Sequence, residues 1–145
     1  MAKKLILKDC YVEVNEIPFS THCSSVEVNL SKDEVDTTNF SGGGRERQAG
    51  LKDDSFVLNF QQDFNPAMVD ATLYPLWDEE EEFVVVVRPT SQPASETNPE
   101  FRGTCILLEY QPLSGDVGSL SETSVTFPTQ REGIQRSTTP PEPTP

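Results

Sequence analysis

The sequence has few of the residues with which proteins commonly do chemistry. It contains a single histidine, His22, and its three cysteines are Cys10, Cys23 and Cys105. The spacing of these residues matches neither a disulfide framework nor a common zinc site, and adjacent strand residues such as His22 and Cys23 point to opposite faces. The glycines at 42–44 are not followed by the Lys-Ser/Thr of a phosphate loop. We therefore expect no enzyme, no metal site and no cofactor.

Basic residues are also scarce. There are 11 lysines and arginines against 24 aspartates and glutamates, which gives a net charge of -13. Proteins that hold a nucleic-acid backbone do so with clustered Lys and Arg, so this chain is expected to repel DNA rather than bind it. Such repulsion is useful to a protein that stands near DNA without gripping it.

Long hydrophobic runs are absent. Only three apolar residues follow the first lysines, at 5–7, which is too short for the apolar part of a signal peptide. Nothing later approaches the roughly 18 consecutive apolar residues of a membrane helix. The sequence predicts a soluble chain without a cleaved signal and without a membrane partner, and its unpatterned cysteines fit a reducing compartment.

The chain length of 145 residues allows one domain of ordinary size. Twelve prolines are unevenly distributed, and four of them lie in the last six residues. A polar segment rich in proline and threonine cannot bury enough surface to fold. We therefore predict a β domain over residues 1–128 and a disordered Pro/Thr-rich C-terminal tail over 129–145.

Alternation of apolar and polar residues is the dominant pattern. It places Val26, Val28 and Leu30 on one face of a strand at 25–30 and does the same for apolar residues at 55–61. Four further strands are predicted at 4–14, 83–87, 104–110 and 123–127. The 4–14 run shifts parity near Asp9, which indicates a bulge or bend. The predicted fold is mainly β.

One helix is predicted between the strands. Asn65 is a suitable N-cap, and Pro66 suits the first helical position because its missing N–H is not needed there. Helical spacing puts a set of apolar residues on one face, and Pro75 is expected to end or kink the helix near its end. The predicted core-facing residues are Val69, Leu73, Leu76 and Trp77.

Two long segments without a clear pattern remain, 31–53 and 90–102, and long loops in small domains are often functional. The first is glycine-rich and carries both charges and an aromatic residue. One interpretation is a solvated hairpin loop; the other is an arm ordered against a neighbouring copy. The candidate contact residues in this arm are Val35, Asp36, Thr37, Thr38, Asn39, Phe40, Arg45 and Arg47.

A run of five carboxylates follows the predicted helix. It consists of Asp78, Glu79, Glu80, Glu81 and Glu82. Calcium loops intersperse their ligands with a turn glycine, and this run has none, so a solvated turn is favoured over a calcium site.

The order of these elements and two segments make the sequence recognisable. The segments are Asp36-Thr37-Thr38-Asn39-Phe40 in the long loop and Leu73-Tyr74-Pro75-Leu76-Trp77 at the end of the helix. With them, residues 4–128 resemble the major tail tube proteins of long-tailed, siphovirus-like bacteriophages. The resemblance implies a β-sandwich or barrel of the phage tail tube type, with one short flanking α-helix and a long inter-subunit loop.

The resemblance also implies a structural role. Six copies would close into a ring, and rings would stack into a tube that conducts DNA into the host without binding it specifically. Other partners would be the tape measure, tail terminator and distal tail proteins, in a virion tail assembled in the host cytoplasm. The eight arm residues would contact a neighbouring subunit, and the acidic run would lie at the edge of the lumen.

A second function stays open. A small β-sandwich is also a common carbohydrate-binding module, in which exposed aromatic residues form a platform for the ligand. Tyr11, Tyr74 and Trp77 are the aromatic residues that such a platform would use.

Overall fold

The computed structural model describes residues 4–139, which form nine strands and one helix. The strands are β1 Tyr11–Val14, β2 Ile17–Pro18, β3 Cys23–Asn29, β4 Lys32–Asp36, β5 Arg47–Lys52, β6 Ser55–Gln61, β7 Phe83–Arg88, β8 Glu100–Cys105 and β9 Glu122–Ser137. The helix, α1, is Val69–Asp78 and precedes β7. The mainly β fold predicted from the sequence is confirmed.

Seven of these strands form one antiparallel sheet in the order β2-β1-β7-β8-β9-β6-β3, which curls into a half-barrel. The long strand β9 links the two parts of this sheet. Its first part pairs with β6, from Glu122 to Pro128, and its second part pairs with β8, from Thr129 to Ser137. The remaining strands, β4 and β5, form a separate two-stranded sheet.

The core lies in the hollow of the curled sheet. Strands β6 and β9 contribute alternate residues, as the period of two requires, and α1 closes the hollow with Val69, Leu73 and Leu76. Aromatic rings meet edge to face at the centre, with centroid distances of 5.8 Å for Phe19–Phe60, 6.3 Å for Phe60–Phe127 and 5.6 Å for Phe83–Phe127. This edge-to-face geometry stabilises the fold beyond the contribution from burying the rings.

Two predicted strands are misplaced. In the 4–14 run only Tyr11–Val14 forms a strand, because β7 provides pairing partners for those four residues alone. The predicted strand at 104–110 is instead β8, Glu100–Cys105. The reason is pairing: Cys105 lies opposite Phe83, the first residue of β7, so β7 offers no partner beyond it.

The helix differs from the prediction at both ends. Ala67 has a positive φ of 63°, which interrupts the helical path after Pro66, so α1 begins at Val69 with Met68 as N-cap. Pro75 lies inside α1, which continues to Asp78. Proline is tolerated there because its missing N–H would have bonded the carbonyl of Ala71, and both residues face water.

Trp77 was predicted to be a core residue, and this prediction is wrong. Its side chain is 42% exposed. The indole Nε1–H donates a hydrogen bond to the carbonyl oxygen of Leu108 at 3.1 Å. Because α1 continues past Pro75, Trp77 lies at the edge of the apolar face of the helix rather than in the core.

The predicted boundary after residue 128 is wrong for residues 129–137. They continue β9 instead of starting a disordered tail, because β8 offers them a pairing edge. Ile134 in this part is only 5% exposed and belongs to the core. The prolines at 140–145 lie outside the described residues.

Candidate inter-subunit surface

The long segment at 31–53 is a β-hairpin that stands apart from the main sheet. Strands β4 and β5 pair through Val35 and Gln48 and through Asp36 and Arg47. Every residue of β4 is exposed, and in β5 only Gly50 is half-buried. A two-stranded sheet without a buried face is marginally stable in water. This hairpin therefore lacks the packing that holds the rest of the domain.

Local hydrogen bonds shape the tip of the hairpin. The carboxylate of Asp36 accepts the backbone N–H of Thr38 at 2.9 Å, and the Thr38 hydroxyl accepts the N–H of Glu46 at 2.9 Å. Hydrogen bonds from the Thr38 hydroxyl and N–H lower the pKa of Asp36. At the end of the tip, the Phe40 ring is fully exposed. The tip is thus a defined turn that presents an aromatic ring to solvent.

Two arginines follow Phe40 in the hairpin. Arg45 lies 3.6 Å from Asp36, and Arg47 forms an ion pair with Glu34. All four side chains are more than half exposed. Exposed pairs of this kind contribute little to stability because solvent and salt screen them. Both guanidinium groups are therefore accessible from solvent.

The buried carboxylate of Asp54, which sequence reasoning missed, holds the base of the hairpin. It is 1% exposed and accepts the N–H of Ser31 at 2.9 Å and the N–H of Ile134 at 2.8 Å. Lys52 Nζ lies 3.5 Å away. Burial alone would raise the pKa of Asp54, but the two N–H groups and Lys52 outweigh it, so the pKa lies below its usual value.

Gly133 makes this arrangement possible. Its φ is +65°, and a Cβ at this position would lie 2.5 Å from the Asp54 carboxylate. Only glycine combines such a backbone angle with such a close approach. The base of the hairpin is therefore bonded to β9, whereas, among the described residues, the hydrogen bonds and ion pairs of the tip lie within the hairpin.

The structure places all eight predicted arm residues on this one hairpin. Val35 and Asp36 end β4, Arg47 begins β5, and the other five lie in the tip between them. Of the large apolar side chains of the arm, Phe40 is fully exposed, Leu51 is 78% exposed and Val35 is 45% exposed.

The acidic run lies elsewhere, at the C-terminal end of α1. Asp78 is the last helical residue, Glu79 is the C-cap, and all five carboxylates are exposed. The negative end of a helix dipole disfavours carboxylates. The one side-chain hydrogen bond found for the run is from Gln130 to Glu82 at 3.1 Å. Within residues 4–139, no His, Cys, Asp and Glu side chains group together as metal ligands.

The histidine and the cysteines have structural surroundings. His22 Nε2 lies 2.9 Å from the carboxylate of Asp63. A hydrogen bond from the backbone N–H of Asn65, which has the larger effect, and a hydrogen bond with His22 both lower the pKa of that carboxylate. Burial raises the pKa of Cys105 to about 12 and, with Cys23 and Asp9 nearby, that of Cys10 to about 11. At neutral pH these two thiols are protonated and weakly nucleophilic.

In the described part of the chain, no helix is both long and apolar enough to cross a membrane. No family model and no curated protein matches the sequence.

Three solved structures resemble the domain over almost its whole length. The SPP1 tail tube aligns with a TM-score of 0.69 and 11% identity, over 92% of this chain and 77% of the other. A chain in the sheath-tube complex of an extracellular contractile injection system, PVC, aligns with a TM-score of 0.66 and 12% identity, over 93% of this chain and 92% of the other. A chain in the virion of a native gene transfer agent particle aligns with a TM-score of 0.64 and 12% identity, over 89% of this chain and 95% of the other. This chain therefore has the fold of tail tube proteins, as its resemblance predicted.

Proposed function

We propose that this chain is a structural, non-enzymatic subunit that associates with copies of itself into rings, which stack as the tail tube of a virion. The proposal is supported by a fold shared with the SPP1 tail tube over nine-tenths of the chain. In this proposal the chain acts by packing against its own copies rather than by chemistry.

The observation that carries the proposal is the unsupported hairpin. A chain that worked alone would gain nothing from a two-stranded sheet exposed on both faces, with the Phe40 ring at its end and Val35 only partly covered. A neighbouring copy supplies the missing surface, and burial of these apolar groups offsets the cost of ordering the arm. The eight arm residues are therefore proposed to contact an adjacent subunit or ring.

The finer features follow the resemblance to siphovirus-like tail proteins. We propose rings of six copies, a lumen through which DNA passes without specific binding, and assembly in the host cytoplasm with tape measure, tail terminator and distal tail proteins. The net charge of -13 suits such a lumen because it repels phosphate.

The acidic run is proposed to lie at the edge of the lumen. Glu82 contacts Gln130, which follows the point where β9 changes partner. Asp54, at the base of the hairpin, lies in the same region, because its backbone carbonyl accepts the N–H of Thr129 at 3.1 Å. The run and the hairpin base thus belong to one end of the domain, where the next ring would stack.

Deletion of residues 37–44 tests the inter-subunit role of the hairpin. The variant is expected to keep the circular dichroism and melting temperature of the unmodified chain but to form no tubes in negative-stain micrographs. A matched control replaces Gly43 and Gly44 with serine, since nothing lies within 4 Å of a Cβ at either position. This control is expected to form tubes. Normal tubes from the deletion variant would contradict the proposal.

One observation supports carbohydrate binding as the second candidate. Tyr74 and Trp77 are 49% and 42% exposed, and their ring centroids lie 6.2 Å apart. Adjacent exposed rings of this kind suit the face of a sugar. A chain that remains monomeric at high concentration and is retained on a glycan array, with loss of retention in Trp77→Ala, would favour this function over tube building.

A further inference from the structure

Two of the three cysteines lie at opposite margins of the curled sheet. Cys10 immediately precedes β1, and only the two-residue strand β2 lies between β1 and one margin. Cys23 is the first residue of β3, which is the strand at the other margin. These two cysteines therefore belong to the parts of the chain that border the open side of the half-barrel, which we call the seam.

A small cavity at the seam brings the two side chains together. It has a volume of about 170 Å³, and residues from both margins of the sheet line it. Cys10 and Val12 line it on the side of β1, and Cys23 and Val26 line it on the side of β3. Both cysteines are half-buried and pack against the apolar core. Cys105 is completely buried in β8 and does not line this cavity.

The two thiols also influence each other electrostatically. Burial is the main cause that raises the pKa of Cys10 to about 11, and the charge of a Cys23 thiolate adds to this effect. Burial raises the pKa of Cys23 as well. Because the interaction between charges weakens with distance, this mutual effect agrees with two sulfur atoms that share one cavity.

Only weak interactions hold the thiols in their present orientation. The Cys10 thiol donates to the carbonyl oxygen of Arg88 at 3.0 Å, and the Cys23 thiol donates to the carbonyl oxygen of Ser25 at 3.2 Å. The S–H group is a weak hydrogen-bond donor. Each sulfur therefore loses little when it turns from its carbonyl toward the shared cavity.

We propose that Cys10 and Cys23 are a site of oxidative cross-linking, at which a disulfide closes the seam of the half-barrel. The oxidant is a small disulfide such as oxidised glutathione. One protein thiolate attacks a sulfur of this disulfide and releases one glutathione, and the second protein thiolate then attacks the mixed disulfide and releases the other. Two protein thiols are oxidised, one glutathione disulfide is reduced, and the two protein protons pass through solvent to the released glutathione thiolates.

The cross-link acts within one chain. It closes a loop over residues 10–23 and stabilises the fold by restricting the unfolded chain. In a reducing cytoplasm the thiols stay reduced, and the link forms after release into an oxidising medium. This timing rests on the proposed function, whereas formation of the link does not.

Treatment of the reduced, full-length chain with oxidised glutathione tests the site. The expected product has lost the mass of two hydrogen atoms, and digestion yields two peptides joined through Cys10 and Cys23. Because both thiols are protonated at neutral pH, the rate is expected to rise about tenfold from pH 7 to pH 8. The melting temperature of the linked chain is expected to rise by roughly 5–10 °C.

Cys105→Ala is the matched control, because it removes a thiol outside the cavity, and it is expected to form the same link. Cys10→Ser and Cys23→Ser are expected to stop at a mixed disulfide with glutathione and to gain no thermal stability. Lasting mixed disulfides on the unmodified chain, a link through Cys105, or thiols that stay reduced even at about pH 9 would each overturn the inference. If a variant does not fold, peptide mapping of the unmodified chain decides. These measurements need no tubes, so a negative result would leave the proposed function standing.

Discussion

The main sheet and the β4–β5 hairpin are built from the same kind of strand but differ in what they bury. In β6, every second side chain is completely buried, as in Phe56, Leu58 and Phe60. In β4, by contrast, all five residues are exposed. Burial of a large apolar side chain contributes about 1.5–3 kcal/mol, whereas an exposed ion pair contributes about 0.2–1 kcal/mol. The sheet therefore obtains its stability within the chain, whereas the hairpin buries little there and is proposed to gain stability from a neighbouring copy.

The largest effect is expected from Phe60→Ala in the main sheet. The Phe60 ring is completely buried and meets Phe19 and Phe127 edge to face. Removing it leaves a cavity and is expected to lower the free energy of unfolding by about 3–5 kcal/mol. Urea unfolding followed by circular dichroism measures this loss. A loss below about 1 kcal/mol would mean that the core tolerates collapse at its centre, and the contrast with the hairpin would weaken.

An intermediate effect is expected from Asp54→Asn, at the junction of the two regions. The two carboxylate oxygens of Asp54 each accept one N–H, from Ser31 and from Ile134, whereas the uncharged amide of asparagine has only one oxygen. We therefore expect the free energy of unfolding to fall by about 1.5–3 kcal/mol. Because the folded pKa of Asp54 is lowered, its charged form adds stability above the unfolded pKa of about 3.9. This contribution disappears as the pH falls through the folded pKa.

Urea unfolding over a pH series checks this expectation. Below about pH 4 the stability of Asp54→Asn is expected to approach that of the unmodified chain. The matched control is Asp53→Asn, whose side chain is exposed. If both variants lose the same stability at neutral pH, Asp54 does not anchor the hairpin.

The smallest effect on folding is expected from Phe40→Ser, at the tip of the hairpin. The ring is fully exposed, so the free energy of unfolding is expected to change by less than about 0.5 kcal/mol. Sedimentation of assembled material is expected to fall, because the ring is proposed to pack on a neighbouring copy. A stability loss comparable to that of Phe60→Ala would show that the tip packs within its own chain, which would remove the contrast between the regions.

The sequence predicts those features that local patterns determine. Alternation located β6 to the residue, because one buried face leaves a period of two in the side chains. It misplaced β8, whose bounds depend on the length of its partner β7. Asp54 was not found, because its partner Ile134 lies 80 residues away in the sequence. The arm was singled out by the absence of any core pattern, which does not distinguish a loop from an exposed hairpin, and its contact with a neighbouring copy stays a prediction.

The continuity of β9 has a mechanical consequence. One covalent backbone takes part in both halves of the curled sheet, so neither half can tilt without moving the other. When a filament of such subunits bends, each domain is expected to rotate as a rigid unit. In the proposed tube, the strain of bending would then fall on the hairpins proposed to lie between subunits, and the shape of the passage inside each ring would be preserved.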